Sequence, residues 1–365
     1  HKIDIILFKN NLVSIVIPVM GIKDLNAFLK EHTPNAVTNV HFTELEGKRV
    51  AIDTSIYFYK FMYKNERFLE SFFNQIAHLR QYNITPIYVF DGAPPPEKME
   101  EIKTRQARKQ IIKSEISTLK TELENLKNVD NIDSETAEEN KKRVMAATFK
   151  LAKAKKKLIY VTPANIKELK YMLDLMNIKY IQANGEADNV CSKLNQNGIV
   201  DMVLSDDMDL LVTGTKILLR DYCLGHNKIS VYKTNEILST LDISYDSWVD
   251  FCILCGCDYS KRIRGMGPNN SFKYLKECGN IEEIINSYVG EDKKFKELPK
   301  LFDYGKSREL MKYCKHYLPD YDKINVELEQ LFGNQLETIS KYIKKNTTLS
   351  DLKIKNRLKS IYETN

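Results

Sequence analysis

Acidic residues recur behind short apolar runs along this sequence. Asp53 follows "RVAI" (49–52), Asp91 follows "PIYVF" (86–90), and Asp207 and Asp209 follow "MVL" (202–204). Glu186 and Asp188 stand in "ANGEADN", just beyond "KYIQA" (179–183), and Asp258 in "GCDYS" closes an apolar stretch. Two like charges about 4 Å apart repel by about 4 kcal/mol at an effective dielectric of about 20. Several such pairs in one crevice would exceed the ~5–15 kcal/mol that holds a domain folded. Either some of the acids are protonated or cations neutralise them. All-oxygen donors suit hard divalent ions, Mg²⁺ first with Mn²⁺ as a substitute. Two ions about 3.5–4 Å apart would clamp the attacking and leaving oxygens of a phosphodiester. A single aspartate here is an ordinary cap or turn residue; the recurrence points to a metal site. In "SDDMD" Asp207 and Asp209 are expected to face one side and share a cation, with Asp206 turned away. Competing chemistries lack their motifs. The six histidines form no triad, and no Walker-type phosphate loop is present.

These acids need elements to hold them. The β-type runs alternate with amphipathic stretches near 56–80 and 165–177, and with another starting near Glu186. That alternation predicts an α/β fold, a mainly parallel sheet with helices on both faces. In such a sheet, sites form beyond the carboxyl ends of the strands, which gathers the acids into one crevice. "KILLRDYCLGHNKISVYK" (216–233) reads as a hairpin. From about residue 242 the chain reads as helical. Gly265 and Gly267 precede a helix there, a turn able to present backbone N–H groups to a phosphate or simply to join two helices.

Residues 98–157 differ in composition. They hold 16 Lys+Arg against 10 Asp+Glu, no glycine and no proline. That excess of six equals the net charge of the whole 365-residue chain. Two charged helices are expected here, broken by a polar turn at "NVDNIDSET" (128–136). The mild basic balance permits an anionic partner. The seven cysteines show no paired framework and fit a reducing interior. Cys252, Cys255 and Cys257 sit in "WVDFCILCGCDY", which reads as a buried helix and its end rather than a zinc site. No apolar run reaches membrane-spanning length. Residues 1–19 carry no signal-peptide cleavage pattern, and Met20-Gly21 resembles a natural start.

Taken together, "MGIKDLNAFL", "GKRVAIDTSIYFYKFM", "PIYVFDGAPPPEK", "NGEAD", "SDDMDLLVTG" and "LCGCDYSKRIRGMGP" resemble, in order, the core segments of the flap endonucleases among XPG-type structure-specific nucleases. The resemblance implies a PIN-like fold with a helical arch insertion and a C-terminal helix-two-turn-helix region. It divides the chain into an upstream extension (1–19), a nuclease core (20–240, with the arch at 97–165) and a helical region (241–365). It implies two divalent ions held by Asp53, Asp91, Glu186, Asp188, Asp207, Asp209 and Asp258. Lys98 and Arg105 would stabilise charge on the scissile phosphate; they are seven residues apart, two helical turns on one face. Tyr59 would stack on a base. Gly21, Arg108, Lys109, Arg264, Gly265 and Gly267 would contact DNA.

The implied reaction is 5′ flap cleavage with 5′–3′ exonuclease activity on branched DNA, in replication and repair. A duplex 5′–3′ exonuclease on DNA or RNA, and a catalytically silent binder of branched DNA, are the alternatives. The sequence departs from the family in places. Asp188 stands where glutamate is usual. Only 38 positions separate Asp53 from Asp91, which removes the segment that forms the 3′-flap pocket in cellular members. Arg262 replaces a hydroxyl at the family's potassium site, leaving K⁺ open. No sliding-clamp motif follows the core, so a monomer without that partner is expected. The location implied is intracellular: nuclear for a cellular chain, the host cell or replication site for a viral one.

Overall fold

The computed structural model describes residues 21, 22, 24–64, 67–128, 134–260, 265–288, 303–312 and 334–363. The upstream extension, Met20, Arg262 and Arg264 lie outside the described residues. The four expected strands are β2 (Arg49–Asp53), β3 (Thr85–Phe90), β4 (Tyr180–Gln182) and β5 (Met202–Leu204). β6 (Ile217–Arg220) and β7 (Lys228–Lys233) form the hairpin. β1 (Val37–His41) escapes the sequence reading; polar Thr38, Asn39 and His41 dilute its apolar signal, and antiparallel pairing with β7 makes it a strand. The sheet order is β1-β7-β6-β5-β2-β3-β4. β6, β5, β2, β3 and β4 run parallel; β7 is antiparallel to both its neighbours. β2 pairs with β3 on one side and β5 on the other, so the chain order reverses there. A crevice opens at the carboxyl ends of strands at such a reversal.

Strand side chains alternate between two cores, as a period of two requires. Ala51, Ile87, Val89, Val203, Leu218 and Tyr232 face one core, with α1 (Leu25–His32), α7 (Ala187–Gln196) and α10 (Tyr245–Cys255). Val50, Ile52, Tyr88, Phe90, Leu204 and Leu219 face the other, with α2 (Thr54–Lys64), α3 (Phe68–Arg80) and α6 (Pro163–Leu175). The expected amphipathic stretch at 56–80 is therefore two helices. Tyr57, Phe72 and Phe73 of this second core are fully buried, each contributing roughly 2–3 kcal/mol. α6 starts at a capping box between Thr162 and Asn165, with Pro163 at its first turn. α10 is the expected buried helix, and Cys252 and Cys255 are buried within it.

The basic insertion forms α4 (Met99–Lys127) and α5 (Ser134–Lys157). They are held together by a narrow seam of Ile112, Ile116, Leu119 and Leu123 against Leu151, Ala154 and Leu158. After a short α8 (Asp209–Val212) and α9 (Thr234–Leu241), the helical region continues as α11 (Pro268–Cys278), α12 (Ile281–Tyr288) and α13 (Tyr304–Lys312). The last pair, α14 (Asn334–Asn346) and α15 (Asp351–Tyr362), returns to the second core through Ile339, Ile343, Ile354, Leu358 and Ile361. Among the described residues no helix is long and apolar enough to cross a membrane.

Candidate active site at the carboxyl edge of the sheet

Asp53 is the last residue of β2, 6% exposed. Ser205 Oγ donates to its Oδ2 at 2.9 Å and the Ser55 N–H to its Oδ1 at 3.2 Å. Asp91 follows β3, and its Oδ1 accepts the Ala187 N–H at 2.8 Å while Ser55 Oγ donates to its Oδ2. Ala187 opens α7, whose N-terminal N–H groups have no partner within the helix and favour a negative charge. Glu186 caps the same helix and Asp188 lies in its first turn, so α7 brings two further acids to the edge. Asp207 follows β5 and accepts the Asp209 N–H on Oδ1 at 3.0 Å. Asp206 turns the other way, pairing with Lys60 at 2.6 Å and accepting the Asp221 N–H at 2.9 Å.

Asp258 enters from beyond α10, and two cations reach it. Lys98 Nζ lies 2.9 Å and Arg105 Nη2 3.3 Å from its Oδ2. Lys98 also pairs with Glu186, and Arg105 Nε with Glu101 at 2.5 Å. Lys98, at the N-cap of α4, and Arg105, within it, thus share one carboxylate. Tyr259 OH donates to Glu186 Oε2 at 2.5 Å.

Burial and crowding shift these groups. Burial chiefly, then Asp91, pushes Asp53 up to about 7, against the opposing bond from Ser205. Burial raises Asp188 and Asp209 well above the aspartate range, with Asp53 the next cause for the first and Asp207 for the second. Asp207 is raised too, by burial first and Asp258 among its neighbours. Burial disfavours the Lys98 charge, yet Glu186 and Asp258 hold its ammonium well above the lysine range.

Gly21 packs against this cluster at φ +79°; a Cβ there would lie 2.3 Å from Asp207 Oδ1 and 2.9 Å from Asp209 Oδ1. Only glycine allows the backbone to approach so closely. Tyr59 is half-buried near the edge, its hydroxyl raised chiefly by burial, with Arg105 opposing. Lys109 lies over the Tyr59 ring, and Arg108 is exposed on α4. Gly265 lies at φ +84°, and Gly267 caps α11. Ser55, Ser205, Glu101 and Tyr259 were not anticipated. Ser205 had a signal, a hydroxyl between a strand and its acids; Tyr259 adjoins Asp258; Ser55 and Glu101 gave none.

The donor set suits a hard cation. It is all oxygen, and Asp209 Oδ1 is buried without a hydrogen-bond partner among the described residues. Among the described residues no three acid, histidine or cysteine side chains already form a closed cage. Lys98, Arg105, Ser55 and Tyr259 occupy oxygen atoms that such a cage would use.

Residues 20–112 match the XPG N-terminal domain and residues 177–258 the XPG I-region. These two regions carry all seven acids, with both cations, into the XPG class, Asp258 being the last residue of the second region. Over 366 residues the chain is 30% identical to Flap endonuclease 1 of Cryptosporidium muris, covering 92% of this chain and 71% of that protein. It is 31% identical over 309 residues to Flap endonuclease 1 of Candida tropicalis, covering 80% of this chain and 76% of that one. The chain belongs to the flap endonuclease family. Its fold matches the catalytic core of Rad2 in complex with DNA substrate, with a TM-score of 0.63 at 24% identity over 93% of this chain and 98% of that one. It also matches flap endonuclease-1 from Methanococcus jannaschii, with a TM-score of 0.60 at 23% identity over 90% and 96%. The architecture is PIN-like, as expected.

Proposed function

We propose that this protein is a metal-dependent, structure-specific 5′ flap endonuclease with 5′–3′ exonuclease activity on branched DNA. The observation that carries the reading is the joint placement of seven acids at one sheet edge with two cations from the arch. Asp53, Asp91, Glu186, Asp188, Asp207, Asp209 and Asp258 would hold two Mg²⁺ ions. When bound, such ions supply an activated water and charge neutralisation at the phosphate. The chain's own residues do the rest. Ser205 and Ser55 fix the Asp53 and Asp91 carboxylates. Lys98 and Arg105, now on Glu186 and Asp258, would donate to the non-bridging oxygens of the scissile phosphodiester. Tyr59 stacks on the adjoining base. Arg108, Lys109 and the arch follow the single strand, and Arg264, Gly265 and Gly267 grip the duplex backbone.

Matched flap, nicked and blunt substrates, with free and blocked 5′ ends, test this in Mg²⁺. The flap with a free end is cut fastest, near its junction. Equal rates on all substrates would reject structure specificity.

A further inference from the structure

Lys109 lies on α4 one helical turn beyond Arg105. Its Nζ is 5.6 Å from the ring centroid of Tyr59, on α2, and 5.0 Å from that of Tyr160. Tyr160 belongs to the return segment between α5 and α6 and is 46% exposed. Three separate stretches of chain therefore meet at one ammonium, held between two π faces.

The apolar seam of α4 is spent on α5, so it makes the arch cohere without holding it to the sheet. Lys98 and Arg105 link α4 to the sheet edge through Glu186 and Asp258. Ions or phosphates entering the crevice compete for those same carboxylates and cations. The contacts of Lys109 are made with aromatic rings, and neutralising the carboxylates leaves them intact. We infer that Tyr160 is a positioning residue: its ring keeps Lys109 against Tyr59 and so holds the first turns of α4, with Lys98 and Arg105, above the acidic edge. Tyr160 acts through Lys109 and touches no reacting atom. The inference rests on reading that edge as the active site.

Hydrogen exchange of residues 99–112 in the full-length, metal-free protein tests the clasp without any cleavage. Tyr160→Leu should speed exchange there about two- to fivefold, the effect of losing a partly exposed cation–π contact. Tyr160→Phe, which keeps the ring, should restore wild-type protection. Lys109→Met, which loses both rings, should speed exchange at least as much as Tyr160→Leu, and the double variant should not exceed Lys109→Met, because the Tyr160 contact is already gone there. Unchanged exchange in Tyr160→Leu, a Phe variant that behaves like Leu, or additive effects would overturn the clasp. Cleavage of a 5′ flap at saturating substrate is measured alongside; kcat should fall in Tyr160→Leu and recover in Tyr160→Phe. A predicted exchange pattern with no cleavage by wild type would retain the clasp and reject the active-site reading. Unchanged exchange with normal cleavage would do the reverse.

Discussion

Asp53 sets the problem at the scale of the residue: its carboxyl is buried, crowded and raised to about 7. Asp188 and Asp209 are raised well above the aspartate range too, by burial first. Because these folded-state values lie above the ordinary aspartate value, the folded protein favours the protonated acids. For Asp53 the contribution to stability is full below about pH 4 and is lost as pH rises through about 7. Thermal unfolding in chelator should therefore show a midpoint that falls between pH 5 and 8, on the order of several degrees, and added Mg²⁺ should reverse the fall. A midpoint indifferent to both would mean the acids are not crowded. Lys98 tests another part of the site. Lys98→Ala should lower single-turnover cleavage on the order of 10²-fold while DNA affinity changes less than about threefold. A loss confined to affinity would make Lys98 a binding residue alone. The acids were legible because they recur at strand ends, and the outward turn of Asp206 followed from its neighbours' shared side. Tyr160 and Glu101 were not legible, since their contacts exist only once distant segments meet.

Elements explain why the site is held so firmly at one edge and so lightly at the other. The edge is built by β2, β3 and β5 and by the start of α7, all packed between two cores. α4 and α5 share only a narrow seam. Composition announced the arch, because a long glycine- and proline-free charged stretch has little option but helix. Composition could not announce β1, whose strand character comes from its partner β7. Nor did it show that α14 and α15 close the second core beside α3 and α6. Ile354 is fully buried there. Ile354→Ala should cost about 2–4 kcal/mol in urea unfolding, read with cleavage per folded molecule unchanged. A cost below about 0.5 kcal/mol would mean the terminal pair is a loose appendage.

For the whole molecule, charge and architecture address the same partner. The basic arch is linked to an acidic edge through Lys98 and Arg105, and on the proposed reading the glycine turn before α11 would be a second contact to the DNA backbone. Binding through many phosphates releases many counterions, so affinity for a flap substrate should fall at least ~10²-fold between about 50 and 200 mM salt. A flat response would argue against contact along the arch. The central claim is that the clustered acids, with divalent ions, cut branched DNA. The most direct measurement is cleavage of one 5′-flap substrate by wild type and Asp207→Asn, in Mg²⁺ and in chelator, with binding followed in parallel. The account predicts cutting near the junction by wild type in Mg²⁺ only, and an Asp207→Asn protein that binds the flap but leaves it whole. Full-rate cleavage by Asp207→Asn, or by wild type in chelator, would contradict it.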